Sequence, residues 1–256
     1  MLPPCLSHSI PSTKFPMKTI DVCLSPDLIH LFEVKNKIVV VVDILRATSC
    51  MATGLAYGVK AIRPFASLDE CRAMKSEGYF IAGERNGDKV PGFDLGNSPF
   101  DYMDPLLKDK SIAVTTTNGT VAIEKSQEAS QIVIGCFLNI SAVAEYLKEQ
   151  ENDALILCAG WKGKVNMEDS LFAGALVEKL QNDFANECDA PLLVQAAYQD
   201  MSHNLLALVQ SSSHAKRLHK LNIYEDIEYC LKMDLYNIVP VLKDGEIVLL
   251  QETTTP

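Results

Sequence analysis

Apolar and polar positions along this chain are grouped in blocks. Residues 38–43 (IVVVVD) run apolar and β-branched into an aspartate, the pattern of a strand covered on both faces. The small residues of 48–58 follow as a helix, capped by Thr48 or Ser49 and stopped at Gly58. A second strand is expected at 60–65. A helix at 67–77 opens on Ser67, with Glu70 completing a capping box, and ends at Gly78. Residues 79–82 form a third strand. Residues 83–99 (GERNGDKVPGFDLGNSP) carry too many turn formers to be an element and read as a long loop. A loop of that length in a compact domain is usually functional.

The alternation then repeats. Strands are expected at 111–115, 131–136 and 154–159, followed by helices at 120–127, 139–150 and about 168–184. Helices dominate from 191 to 232. A hairpin closes the chain, with strands at 239–242 and 247–250 and Asp244–Gly245 at its turn. Strands alternating with helices predict an α/β fold, three-layer α/β/α, with a mostly parallel sheet made mixed by the hairpin. The folded region is expected over 17–256, as one unit or two α/β subdomains. Residues 1–16, with four prolines and no apolar core, are expected to be a disordered extension and not a signal peptide.

Composition narrows the function. The formal charge of −10 argues against a nucleic-acid binder or a polybasic membrane binder, since both need an exposed cationic face. No run of 18 apolar residues occurs, so no membrane span is expected. The eight cysteines show no CxxC or zinc spacing and read as buried free thiols of a cytoplasmic protein. A homodimer is a common state for an enzyme of this size.

In open α/β sheets, functional groups collect beyond the carboxyl ends of strands. Here those ends carry Asp43, then Arg46, Thr48 and Ser49; Glu84 and Arg85; Thr116, Thr117, Asn118 and Gly119; Asn139; and, at a later helix start, Glu168 and Asp169. The polar loop adds Asp94, Asn97 and Ser98. Arginine forks, hydroxyls, amides and helix starts suit oxyanions. Two carboxylates 4 Å apart repel by roughly 4 kcal/mol at an effective dielectric near 20. A site joining Asp43, Glu84, Asp94 and Glu168 or Asp169 therefore needs a cation or raised pKa values. Oxygen donors without Cys or His favour Mg²⁺. Each group also has a purely structural explanation: Asp43 with Arg46 as an ion pair, Thr48 and Thr120 as caps, Glu168 and Asp169 as dipole partners. His214, Lys216, Arg217 and His219 crowd one segment and read as a solvated helix face.

Taken together, the segments VVVDILRATS (40–49), AGERNG (82–87), PGFDLGNSP (91–99), TTTNGT (115–120), GCFLN (135–139), CAG (158–160) and MEDSLFAGALVEKL (167–180) resemble the 2-phosphosulfolactate phosphatase family, the ComB-like proteins of coenzyme M biosynthesis. The resemblance spans about 18–250. It departs after the CAG motif, where Trp161, Lys162 and Lys164 stand. It implies a ComB-like fold and Mg²⁺-dependent hydrolysis of 2-phospho-3-sulfolactate to 3-sulfolactate and phosphate. Asp43 and Glu168 or Asp169 would handle metal and water, while Arg46, Arg85 and Asn118 bind the small phosphorylated anion. A phosphatase for another phosphorylated hydroxy acid and a non-catalytic anion-binding protein on the same fold remain alternatives. Deleting residues 1–16 is expected to leave the melting temperature unchanged in differential scanning calorimetry; a large drop would refute the extension reading.

Overall fold

The computed structural model describes residues 17–250; the N-terminal extension expected from the sequence lies outside them. Eleven strands form one sheet. In chain order these are β1 (Lys18–Cys23), β2 (Ile38–Val42), β3 (Ala61–Pro64), β4 (Phe80–Arg85), β5 (Asp88–Lys89), β6 (Ser111–Thr115), β7 (Gln131–Gly135), β8 (Ala154–Cys158), β9 (Phe184–Asn186), β10 (Pro240–Lys243) and β11 (Glu246–Leu249). The helices are α1 (Ala47–Ala56), α2 (Leu68–Ala73), α3 (Gly119–Lys125), α4 (Ile140–Glu149), α5 (Met167–Leu180), α6 (Asp189–Met201), α7 (Leu205–Ser211), α8 (Ser213–His219) and α9 (Glu225–Cys230). None is long and apolar enough to cross a membrane.

The strand order β5-β4-β6-β3-β11-β10-β7-β2-β8-β1-β9 contains two parallel blocks. One is β7-β2-β8-β1-β9 and the other is β3-β6-β4. The β10–β11 hairpin joins them, antiparallel to β7 on one side and to β3 on the other. Its turn places Asp244 at φ 52° and Gly245 at φ 80°, the two left-handed residues that an Asp–Gly hairpin supplies.

Strand β2 shows why its sequence is apolar without a break. Ile38, Val40 and Val42 face one core cluster with Val143 of α4 and Phe172 of α5. Val39 and Val41 face a second, with Met51 of α1 and Ile123 of α3. Both faces of the strand are therefore covered, and the three-layer α/β/α arrangement follows.

Two sequence expectations need correction. The region 83–99 is not a plain loop: β4 continues to Arg85 and turns back into β5 through Asn86 (φ 58°) and Gly87 (φ 97°). Asn–Gly is itself a hairpin signal, outweighed in the reading by the surrounding glycines and prolines. The helix expected to reach 184 ends at Leu180 and gives way to the short strand β9. Of the described cysteines, six are buried free thiols and Cys188 is exposed.

Asn139, expected to bind substrate, is fully buried and serves as a clasp. Its Oδ1 accepts from Cys136 N at 3.0 Å, and its Nδ2 donates to the carbonyls of Ile134 and Ile238 at 3.2 Å each. It thereby ties the end of β7 to the segment entering β10. Asn139→Ala leaves these buried groups unpaired and is expected to cost about 2–4 kcal/mol of stability, at ~1–3 kcal/mol per orphaned group, read from urea denaturation midpoints.

Candidate functional site

Residues at or just beyond the carboxyl ends of β2, β4, β6 and β8 line one narrow cleft, with His214, Arg217 and Leu218 of α8 lining it as well. Asp43 leaves β2 at its floor and is buried. Its main chain is fastened by Thr48: Asp43 N donates to Thr48 Oγ1, which donates in turn to the Asp43 carbonyl. Thr48 and Ser49 are sealed from solvent, with both hydroxyls on main-chain carbonyls, so neither serves as the expected substrate contact. Asp43 Oδ1 accepts from Ala47 N at 3.3 Å. No hydrogen bond reaches Oδ2 among the described residues. Gly119 allows this placement, because a Cβ there would stand 2.8 Å from Asp43 Oδ2.

Burial raises the Asp43 pKa to about 6; His214 and Ala47 N oppose the rise, and the charges of Glu84 and Glu168 add to it. Glu168 is wholly buried at the start of α5. Its Oε1 lies 2.5 Å from His214 Nδ1, and its Oε2 has no partner. His214 lines the cleft, with one ring nitrogen held by Glu168. The expectation of a solvated face on α8 is thus wrong for His214, which packs inward beside buried Ala215 and Leu218. The apolar residues Ala215 and Leu218 were the available sign that one face of α8 is covered.

Asp169 is a strut. Its Oδ1 accepts from Ile44 N at 2.8 Å, while Oδ2 accepts from Gly160 N at 3.0 Å and Asn166 Nδ2 at 2.9 Å. Burial, then the charges of Asp43 and Glu168, pushes its pKa well above the carboxylate range. With three donors on its two oxygens and no place in the cleft lining, it stands apart from the metal role expected from sequence. Asp94 is also displaced from that role. It holds Ile81 N and Lys75 at the far edge of the sheet and does not line the cleft. Glu84 does line it, with Oε1 accepting from Gly87 N and Oε2 from Thr117 Oγ1 at 3.2 Å.

The expected oxyanion binders separate into two groups. Arg46 lines the cleft but is clamped by Asp226, a residue sequence reading did not single out, and by the Gly87 carbonyl at 3.2 Å. Burial works against its charge, yet the surroundings, Cys50 and Asp226 foremost, leave its pKa above the usual value. Ser98 supports Asp226 at 3.1 Å. Arg85 turns away onto the Glu84 carbonyl and Thr115 Oγ1. Thr116 exchanges hydrogen bonds with Thr120 at the start of α3. Asn118 and Asn97 do face the cleft, and Asn97 Oδ1 is buried without a partner.

Among the described residues no three His, Cys, Asp or Glu side chains form a ready metal cage. Two carboxylate oxygens nevertheless lack donors, Asp43 Oδ2 and Glu168 Oε2, and the second is buried. Carboxylate oxygens without donors fit Mg²⁺ in ligand chemistry, since that ion commonly uses one or two carboxylates and substrate oxygens.

A sequence profile of the 2-phosphosulpholactate phosphatase family matches residues 23–245. A probable 2-phosphosulfolactate phosphatase of Caldanaerobacter subterraneus subsp. tengcongensis is 40% identical over 226 residues, covering 86% of this chain and 93% of its own. One of Thermotoga maritima is 40% identical over 231 residues, covering 90% and 98%. One of Nostoc sp. is 38% identical over 221 residues, covering 81% and 89%.

In metal-free protein, the native state takes up the Asp43 proton near pH 6 and the unfolded chain near 3.8. The native state therefore binds more protons between those values, and stability falls as pH rises through that window. Asp43→Asn keeps an acceptor for Ala47 N and removes the ionisation. It is expected to raise the melting temperature at pH 7.5 in EDTA, with the gain vanishing near pH 4. A pH-independent change would contradict the buried-charge account.

Proposed function

The chain belongs to the 2-phosphosulpholactate phosphatase family, and from that premise we propose that it is a Mg²⁺-dependent hydrolase that converts 2-phospho-3-sulfolactate to 3-sulfolactate and phosphate, a reaction of the coenzyme M biosynthesis type. One observation carries the mechanistic part: Asp43 and His214 line one cleft, and His214 is held by Glu168, which is buried behind it with Oε2 unpartnered.

Asp43 Oδ2 and Glu168 Oε2 are the oxygens that would hold the cation. Bound there, Mg²⁺ would neutralise phosphoryl charge and polarise the phosphorus centre. The protein's own groups do the positioning. His214 fixes Glu168 through Oε1, which directs the other oxygen away from the ring. Its remaining ring nitrogen is a hydrogen-bonding group for a phosphoryl oxygen. Asn118 adds its amide nitrogen, its Oδ1 being taken by Lys162 N at 3.1 Å. Glu84 braces the Asn86–Gly87 turn over the cleft and keeps the carbonyl of Gly87 on Arg46. Positioning and charge stabilisation supply most of phosphoryl-transfer catalysis, so a site built from such small contacts suffices.

The test is phosphate release from a panel of phosphorylated hydroxy acids, with Mg²⁺ and with EDTA. Turnover of phosphosulfolactate is expected to need Mg²⁺, and Asp43→Asn is expected to lower kcat by about 10³-fold, the scale of removing one charge-stabilising group. Activity indifferent to EDTA, or a near wild-type Asp43→Asn enzyme, would overturn the assignment.

A further inference from the structure

The substrate class proposed above carries acid groups besides the phosphate, and the cleft must distinguish them. Most cations near it are already engaged. Arg46 is held by Asp226 and Gly87, Arg85 by Glu84 and Thr115, and Lys162 Nζ by Asn86 Oδ1 at 3.1 Å. Arg217 differs. It lines the same cleft from α8, and among the described residues it has no ion-pair partner and donates no hydrogen bond.

Its position is nonetheless defined. The guanidinium carbon sits 3.9 Å from the centroid of the Trp161 ring. Trp161 is held in turn by a tight reversal: Trp161 N donates to the Lys164 carbonyl at 2.8 Å, and Lys164 N donates back at 3.0 Å. Lys162 (φ 49°) and Gly163 (φ 76°) make the turn, and Ser25 Oγ fastens the Gly163 carbonyl at 3.0 Å. Stacking uses the face of a guanidinium and leaves its N–H fork, in the plane, for an oxyanion. Arg217 shares the cleft with Asp43, whose carboxylate would repel an anion without a cation.

We propose that Arg217, propped on Trp161, is the specificity-determining residue that takes the sulfonate or carboxylate of the substrate while the phosphoryl group lies at the Asp43 end. This inference rests on the phosphatase reading for its substrate class but not for the existence of the anion subsite. It predicts that a phosphomonoester with a second acid group is preferred over one without, and that the preference belongs to Arg217. It also explains the use of a stacked arginine, since a bidentate fork distinguishes a planar or tetrahedral acid from an alcohol.

The experiment compares the full-length chain with Arg217→Ala and Arg217→Lys, with Mg²⁺ present. The ratio of kcat/KM for phosphosulfolactate to kcat/KM for phenyl phosphate is expected to fall about 10- to 100-fold in Arg217→Ala, the loss of a charge-assisted contact, chiefly through KM. Arg217→Lys is expected to recover part of it. An unchanged ratio, with both esters losing equally, would overturn the proposal. A second arm needs no turnover. Trp161 is the chain's one tryptophan, and titration with 3-sulfolactate is expected to change its fluorescence in the wild type and to require at least 10-fold more ligand, on the same contact energy, in Arg217→Ala. If no ester is hydrolysed, the phosphatase reading fails while an Arg217-dependent fluorescence change still supports the subsite. An Arg217-independent change would overturn it.

Discussion

Everything at the cleft hangs from the Asp169 carboxylate. It bridges the amide leaving β2, at Ile44, and the amide leaving β8, at Gly160. Two adjacent parallel strands end there, and each would otherwise leave a donor unpaired in a buried place. By satisfying both, one side chain of α5 fixes where Asp43 departs from β2 and where the Trp161 turn departs from β8. Its neighbour Glu168, at the same helix start, holds His214 from behind the cleft. The adjacent acidic pair thus divides its contacts: Asp169 holds the two strand ends, and Glu168 holds a cleft-lining histidine.

That arrangement accumulates negative charge in a place water barely reaches. Asp43, Glu84 and Glu168 feel one another, and burial worsens the repulsion. A protein with no use for those carboxylates would lose stability by keeping them. Their presence in the fold is understandable if a bound cation relieves the field, with the nearby charge of Arg217, which Glu168 feels, contributing. Stability and chemistry therefore pull against each other at Asp43.

The sheet was legible in the chain because burial on both faces leaves a plain record. The unbroken run at β2 and the Asp–Gly turn of the hairpin are local signals, and both stand in the structure. Asp43 and Glu168 could also be read, since a carboxylate at the end of an apolar strand, or at a helix start beside a second acid, is conspicuous. Asp226 could not, because it meets Arg46 across 180 residues of sequence. His214 and Arg217 were obscured by Lys216, His219 and their neighbours, whose charge made the whole segment look solvated. Thr48, Asn139 and Asp169 run the other way: the polar chemistry that suits a ligand also suits main-chain atoms, and each spends its side chain on the groups that a buried strand end leaves behind.

The placement of β10 and β11 has a consequence for biogenesis. The strands that sew the two parallel blocks together, at 240–249, follow in sequence every strand that they join. On the ribosome, β7 and β3 must wait with open edges until those residues emerge. Such edges are templates for pairing with other chains, and non-local pairing is intrinsically slow. The nascent chain is therefore most exposed to misassembly before β10 and β11 emerge, and a chain stalled short of residue 240 would carry two half-sheets with nothing between them.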